Sequence, residues 1–192
     1  ITKWVMRLNS DRPRRRPNRY PTRADSRATV APFPFSMHAI SIPELPCAAE
    51  PYLPHDAPMA LIDEIVSVSE GSLEAVVAIH PACQFAAQDG VPVWVGVEYM
   101  AQGIAAFGGV LARSRGEPVK IGFLVSARRV SCAVDSFNFG DRLRVVVQEV
   151  HMPDDGLATF DCRIVQDGDE LMTARINVYQ PADPIKYLEQ GL

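Results

Sequence analysis

The chain of 192 residues is short of the groups that most often announce metal or redox chemistry. Its four cysteines, Cys47, Cys83, Cys132 and Cys162, stand 30 or more positions apart, with no Cys-x-x-Cys pair and no histidine at zinc-finger spacing. This argues against a dithiol redox site or a zinc module and predicts reduced thiols in a cytoplasmic protein, with no metal and no cofactor. The first 36 positions lack the apolar stretch of about 7–15 residues, followed by small residues, that a secretory leader requires. Neither sign of charge dominates the whole, since 19 Lys and Arg face 23 Asp and Glu for a formal charge of -4. A nucleic-acid binder is therefore not expected, and the length suits one globular domain.

The charge that is present is unevenly placed. Residues 1–36 hold nine Lys or Arg against Asp11 and Asp25, a net +7, whereas the remaining 156 residues hold 10 basic and 21 acidic groups, a net -11. The first part is rich in Arg and Pro and too poor in large apolar residues to offset its ordering entropy, so it reads as a disordered basic extension, with an arm for nucleic acid or an anionic surface and an organelle transit peptide as the alternatives. The change of character at Met37 suggests that the natural start lies there. Ten of the sixteen prolines fall at or before Pro58. Residues 37–60 are accordingly expected to be an irregular lead-in, with a short helical turn opened by Asp56. A folded body then covers 61–182, and a tail covers 183–192.

Within the body, Leu61–Ser69 and Leu73–His80 read as strands joined by Glu70-Gly71-Ser72, a hairpin signal. Lys120–Cys132, Arg142–His151, Leu157–Gln166 and Glu170–Tyr179 read as four more, separated by turn residues. Alternation puts Ala158, Phe160, Cys162 and Ile164 on one face, and Met172, Ala174, Ile176 and Val178 on one face of the next strand. Between the two groups, Val95–Arg113 reads as a single long helix. A transmembrane reading of it is opposed by Glu98 and Gln102 within the span. A helix apolar all round is buried, and its small residues would let a curved sheet approach closely. The pattern predicts an α+β domain in which one antiparallel sheet wraps around one central helix.

Glu98 is the only charged side chain between Trp94 and Ala112. A carboxylate enclosed by Trp94, Val97, Met100 and Ala101 favours its neutral form unless partners compensate, as a general acid requires. Gln102, one turn on, can orient it. The alternative is a purely structural Glu in the first helical turn, stabilised by the helix dipole.

The stretch Val97-Glu98-Tyr99-Met100-Ala101-Gln102 resembles the Val-Glu-x-Met-Ala-Gln central-helix motif of hot-dog-fold β-hydroxyacyl-(acyl carrier protein) dehydratases. Leu53-Pro54-His55-Asp56-Ala57-Pro58-Met59-Ala60-Leu61-Ile62-Asp63 is similar to that family's Leu-Pro-His-x-x-Pro-x-x-Leu-x-Asp segment. Gly90-Val91-Pro92-Val93-Trp94-Val95-Gly96-Val97-Glu98-Tyr99-Met100-Ala101-Gln102 resembles the divergent dehydratase-like proteins of aryl-polyene clusters. The resemblance covers roughly residues 50–180. It implies a dimeric hot-dog fold acting on 3-hydroxyacyl thioesters of an acyl carrier protein, with Glu98 as acid, Gln102 as its orienting neighbour and the Gly90 N–H as oxyanion donor. The family's catalytic His has no counterpart, because Ala87-Gln88-Asp89 stands where His-Phe-Pro is expected. This implies either a homodimer or a heterodimer with a second, His-bearing dehydratase.

Pro92, Val93 and Trp94 are the expected substrate contacts, and Asp89 either supplies a carboxylate at the pocket mouth or simply forms an Asp-Gly turn. His80, at a strand end, competes between a locally satisfied role and a swing into that pocket. An acidic carrier needs a basic landing patch on an acidic body, for which Arg113, Arg115, Lys120, Arg128 and Arg129 are the expected residues. No nucleic acid and no membrane is expected as a partner. A hot-dog thioesterase, with Glu98 activating water, and a non-catalytic scaffold are the alternative functions.

Overall fold

A computed structural model describes residues 43–153 and 155–189. The basic extension, the beginning of the lead-in including His38, and the last three residues lie outside them. In chain order the elements are β1 (Cys47–Ala48), a 3-10 turn (Glu50–Tyr52), β2 (Glu64–Ser69), β3 (Ser72–Ala78), β4 (Gly90–Pro92) and a second 3-10 turn (Val93–Val95). They continue with α1 (Gly96–Ser114), β5 (Phe123–Cys132), β6 (Ser136–Asn138), β7 (Arg142–His151), β8 (Leu157–Gln166), β9 (Asp169–Tyr179) and α2 (Pro184–Glu189).

Seven strands form one antiparallel sheet in the order β1-β2-β3-β7-β8-β9-β5, and β4 pairs with β6 in a separate ribbon. The expected hairpin is present, with Gly71 at φ +68 in the turn between β2 and β3. Alternation decides which face is covered. Ala158, Phe160, Cys162 and Ile164 of β8 are buried, as are Met172, Ala174 and Ile176 of β9. Val145 and Val147 of β7 extend the same inner face beneath Tyr99, Met100, Ile104, Phe107 and Val110 of α1. Phe107 meets Phe160 edge to face at 6.0 Å. This is the hot-dog fold: one long helix held in the concavity of a curved antiparallel sheet. The segment Val93–Ser114 is long and apolar enough to cross a bilayer, but 67% of its apolar 18-residue stretch is buried inside the protein.

Three features depart from the sequence reading. The sheet starts before Leu61, because β1 pairs with β2 and Ala49 and Leu53 enter the core. The segment around Asp56 is a turn closed by the Met59 N–H on the Asp56 carbonyl, not a helical one. The helix is also not covered all round. Val97 and Glu98, followed at intervals of three or four by Ala101, Ala105, Gly108 and Leu111, form a half-buried stripe. In the tail, Tyr187 of α2 packs on Phe123 and Tyr179, with ring centroids 5.0 and 5.2 Å away.

The glycines of α1 serve different neighbours. A Cβ on Gly103 would press on Val147 of the sheet at 3.0 Å, as expected for close helix–sheet approach, whereas one on Gly109 would lie 2.0 Å from the Tyr52 carbonyl oxygen in the lead-in. Gly109→Ala must therefore push the 50–52 turn off the helix. We expect a loss of about 2 kcal/mol in denaturant unfolding, within the usual cost of overpacking. Gly108→Ala, which meets nothing within 4 Å, should be neutral or stabilising by up to ~1 kcal/mol.

Candidate active site

The N-terminal end of α1 is built by short-range geometry. Gly90, Val91 and Pro92 pair with Asn138, Phe137 and Ser136. The pairing is so close that a Cβ on Gly90 would lie 2.0 Å from the Phe137 carbonyl oxygen, so only glycine fits. The Val93 N–H donates to the Asp135 carbonyl at 3.0 Å, and the Val93–Val95 turn then leads into α1 at Gly96. No side chain caps this helix end. Glu98 lies in the first turn of this helix.

Gln102 fixes Glu98 and a distant part of the chain together. It is fully buried. Its Oε1 accepts the Leu61 N–H at 2.7 Å, while Nε2 donates to the Met59 carbonyl at 2.7 Å and to Glu98 Oε1 at 3.0 Å. Both amide hydrogens are thereby used, which determines the orientation of the amide. Glu98 is half-buried rather than enclosed, and its Oε2 has no hydrogen bond among the described residues.

The 80–89 loop presents no imidazole to this end of the helix. Ala87, Gln88 and Asp89 are exposed; the Ala87 N–H donates to the Gly90 carbonyl at 2.7 Å, and the Asp89 carbonyl accepts the Phe139 N–H at 3.4 Å. His80 is exposed, and its Nδ1 accepts the Ala82 N–H at 3.2 Å, which ties the ring to its own turn. The Cys83 thiol completes that turn, accepting the His80 N–H and donating to the Ala78 carbonyl, both at 3.3 Å. His151 is exposed at the far end of β7. His55, in the segment leading to the Gln102 clamp, has a buried Nδ1 without a partner among the described residues.

Pro92 and Val93 are half-buried, whereas Trp94 is 56% exposed and meets Phe85 edge to face at 5.9 Å. Phe85, which is 40% exposed, holds a left-handed backbone at φ 67, a strained conformation for an aromatic residue. Nothing local in the sequence marks a left-handed phenylalanine. Tyr99 is buried with its ring tilted against that of Phe137, centroids 6.1 Å apart, and burial, then the Cys83 thiol and the Asp63 carboxylate, push its phenol well above the usual tyrosine range. One position after Glu98 on a helix, it necessarily faces about 100° away.

The five basic residues do not form one group. Arg113, exposed at the C-terminal end of α1, lies over the Tyr52 ring at 5.4 Å. It lines an open groove of about 650 Å³ with Glu50, Pro51, Leu53, Glu117 and Val119. Arg115 is exposed nearby, and Lys120 pairs with Glu117 at 2.9 Å. Fifteen residues of helix put this end roughly 22 Å from Glu98. Arg128 and Arg129 are instead exposed on β5.

The ApeP-like family model, described as ApeP dehydratase, matches residues 47–189. Among solved structures, the chain is similar to the dehydratase heterocomplex ApeI:P from Xenorhabdus doucetiae, with 30% identity, a TM-score of 0.71, and coverage of 77% of this chain and 98% of that one. It also matches a hypothetical thioesterase with coenzyme A from Streptococcus pneumoniae at 14% identity and TM-score 0.47, covering 62% of this chain and 84% of that one. The PaaI protein of E. coli matches at 16% identity and TM-score 0.47, covering 60% and 80%. No curated protein matches. The first match joins high coverage of both chains to the motif order and helix-in-sheet architecture described above, and with the family match it leads to one assignment: the chain belongs to the ApeP-like dehydratase family.

Proposed function

We propose that the chain is the acid-bearing subunit of a mixed hot-dog dehydratase that removes water from 3-hydroxyacyl thioesters held on an acyl carrier protein. The observation that carries this reading is the pairing of Glu98, oriented by Gln102 at the start of α1, with an 80–89 loop that offers Ala87 in place of an imidazole. Elimination of water needs a base for the proton α to the carbonyl and an acid for the leaving β-hydroxyl. As the α C–H bond breaks, its electron pair forms the double bond, the β C–O bond breaks, and the hydroxyl takes the proton of Glu98 to leave as water. The base comes from the second subunit, which keeps the proton it removes until solvent exchange resets both groups.

The other assignments follow the same site. The Gly90 N–H would donate to the thioester carbonyl as negative charge develops there, and Pro92, Val93 and Trp94, with Asp89 at the mouth, would line the path of the acyl chain. Arg113, Arg115 and Lys120 are the groups left to receive an acidic carrier, in a cytoplasmic assembly. The similar ApeI:P structure, a heterocomplex by its name, supports a hot-dog partner.

The test is dehydration of a 3-hydroxyacyl carrier substrate by the purified chain, alone and with a His-bearing hot-dog dehydratase. Enoyl product is expected from the mixture and not from the chain alone. Release of free thiol without enoyl product would point to thioester hydrolysis instead. Co-purification with a mixture activity indifferent to Glu98 would reduce the chain to a scaffold.

A further inference from the structure

β5 forms the open edge of the main sheet, and its outer face ends in a charge without a partner. Across the outer faces of β8, β9 and β5, two rows of side chains run perpendicular to the strands. In the first row, Thr159 donates to Asn177 at 2.8 Å and Asn177 donates to Ser126 at 2.9 Å, so each strand satisfies the next. The second row is Asp161, Arg175 and Arg128. Arg175 closes a two-pronged bond on Asp161, with both contacts at 2.7 Å, and so occupies both carboxylate oxygens. That bond holds Asp161 below the usual carboxylate range, and the charge of Arg129 adds to the effect. Arg128, directly opposite Arg175, faces a like charge and forms no ion pair among the described residues.

The backbone adds to this. Between Arg128 and Ser131 the register shifts by one extra residue on β5, and Arg129 in that bulge is left-handed at φ 53. A bulge on an edge strand redirects a side chain and blocks indiscriminate pairing. Beyond Cys132 the chain runs into Asp135, which holds Val93, and into β6, which holds Gly90. This edge is therefore continuous with the frame of the Glu98 site.

We propose that the β5 edge pairs with a different chain, a hot-dog subunit whose own edge strand presents carboxylates to Arg128 and Arg129, and that it disfavours a second copy of itself. The sequence Phe123–Cys132 contains no Asp or Glu, so no register of β5 on β5 sets a carboxylate from that strand opposite either arginine. Self-pairing about a twofold axis gathers four guanidinium groups at one seam. This deepens the mixed-complex reading above and reassigns Arg128 and Arg129 from carrier landing to choice of partner.

The test uses this chain alone and reads association, not activity, so its failure leaves the dehydratase reading intact, and loss of that reading leaves it intact. Sedimentation velocity and native mass spectrometry of the wild-type chain, of Arg128→Glu/Arg129→Asp and of their equal mixture are compared in about 50 and about 500 mM NaCl, where screening differs severalfold. Neither protein should self-associate at low salt, and the mixture should form a 1:1 dimer at least tenfold weaker at high salt. A wild-type dimer unaffected by salt or by charge reversal, or a mixture that stays monomeric, overturns the proposal. Should circular dichroism show that the acidic variant is unfolded, Arg128→Gln/Arg129→Asn decides. Asn suits the left-handed position, and self-association rising at least tenfold supports the proposal, whereas no change refutes it.

Discussion

Glu98→Gln should cost the mixed complex about 10²–10⁴-fold in kcat, the usual contribution of a positioned acid. The substitution is chosen because it replaces the ionisable carboxyl by an amide of nearly the same size that cannot protonate the leaving hydroxyl. A glutamine at 98 still offers an oxygen to Gln102 Nε2, which donates to Glu98 Oε1 at 3.0 Å in the native chain. Volume and the half-buried setting are preserved, so thermal unfolding should move by no more than a degree or two. The measurement is steady-state turnover of a 3-hydroxyacyl carrier substrate, with the partner subunit in fixed excess. A KM rise with unchanged kcat would mean that Glu98 binds substrate without transferring a proton. Turnover within twofold of the native complex would remove Glu98 from the chemistry altogether.

Gln102→Leu should act in the opposite currency, on stability first. Leucine fills much the same space but leaves the Leu61 N–H and the Met59 carbonyl without their 2.7 Å partners. Stranding two such partly buried backbone groups costs about 1–3 kcal/mol each, and water reaching exposed Met59 reduces the second, so a total of about 2–4 kcal/mol is expected. For a domain of this size that lowers Tm by roughly 5–15 °C. Activity should fall as well, because Glu98 loses the donor that orients it, and at a temperature where the variant is fully folded the two effects separate. A variant as stable as the native protein would show that the 59–61 segment is held by apolar packing alone.

These two neighbours illustrate what a sequence discloses. The i, i+4 relation of Glu98 and Gln102 follows from helical periodicity, which the apolar run makes unmistakable. The partners of Gln102, 41 and 43 positions earlier, do not follow, because no local pattern encodes a bond between a helix face and a lead-in rich in proline. Strands β8 and β9 were legible because ten or more residues show the period of two. The ribbon of β4 with β6 was not, since three residues are too few to show any period. Chain proximity also misled. Arg113 to Arg129 look like one basic cluster on paper, yet a turn and an extended strand separate the helix end from β5, where strands rise roughly 3.3 Å per residue. The half-buried stripe of α1 escaped notice for a different reason: small apolar residues look the same in sequence whether they face a sheet or an opening.

The strand order has a consequence for how the protein is made. β3 must wait for β7, and the inner face that covers α1 is completed only by β8 and β9, so roughly 65 residues are synthesised after the helix ends before its cover is whole. At ribosomal rates of about 5–20 residues per second this lasts roughly 3–13 seconds. Throughout that interval a segment apolar enough to enter a bilayer is emerging without its sheet, which makes the nascent chain a client for holding factors and favours expression conditions that slow aggregation more than they slow translation.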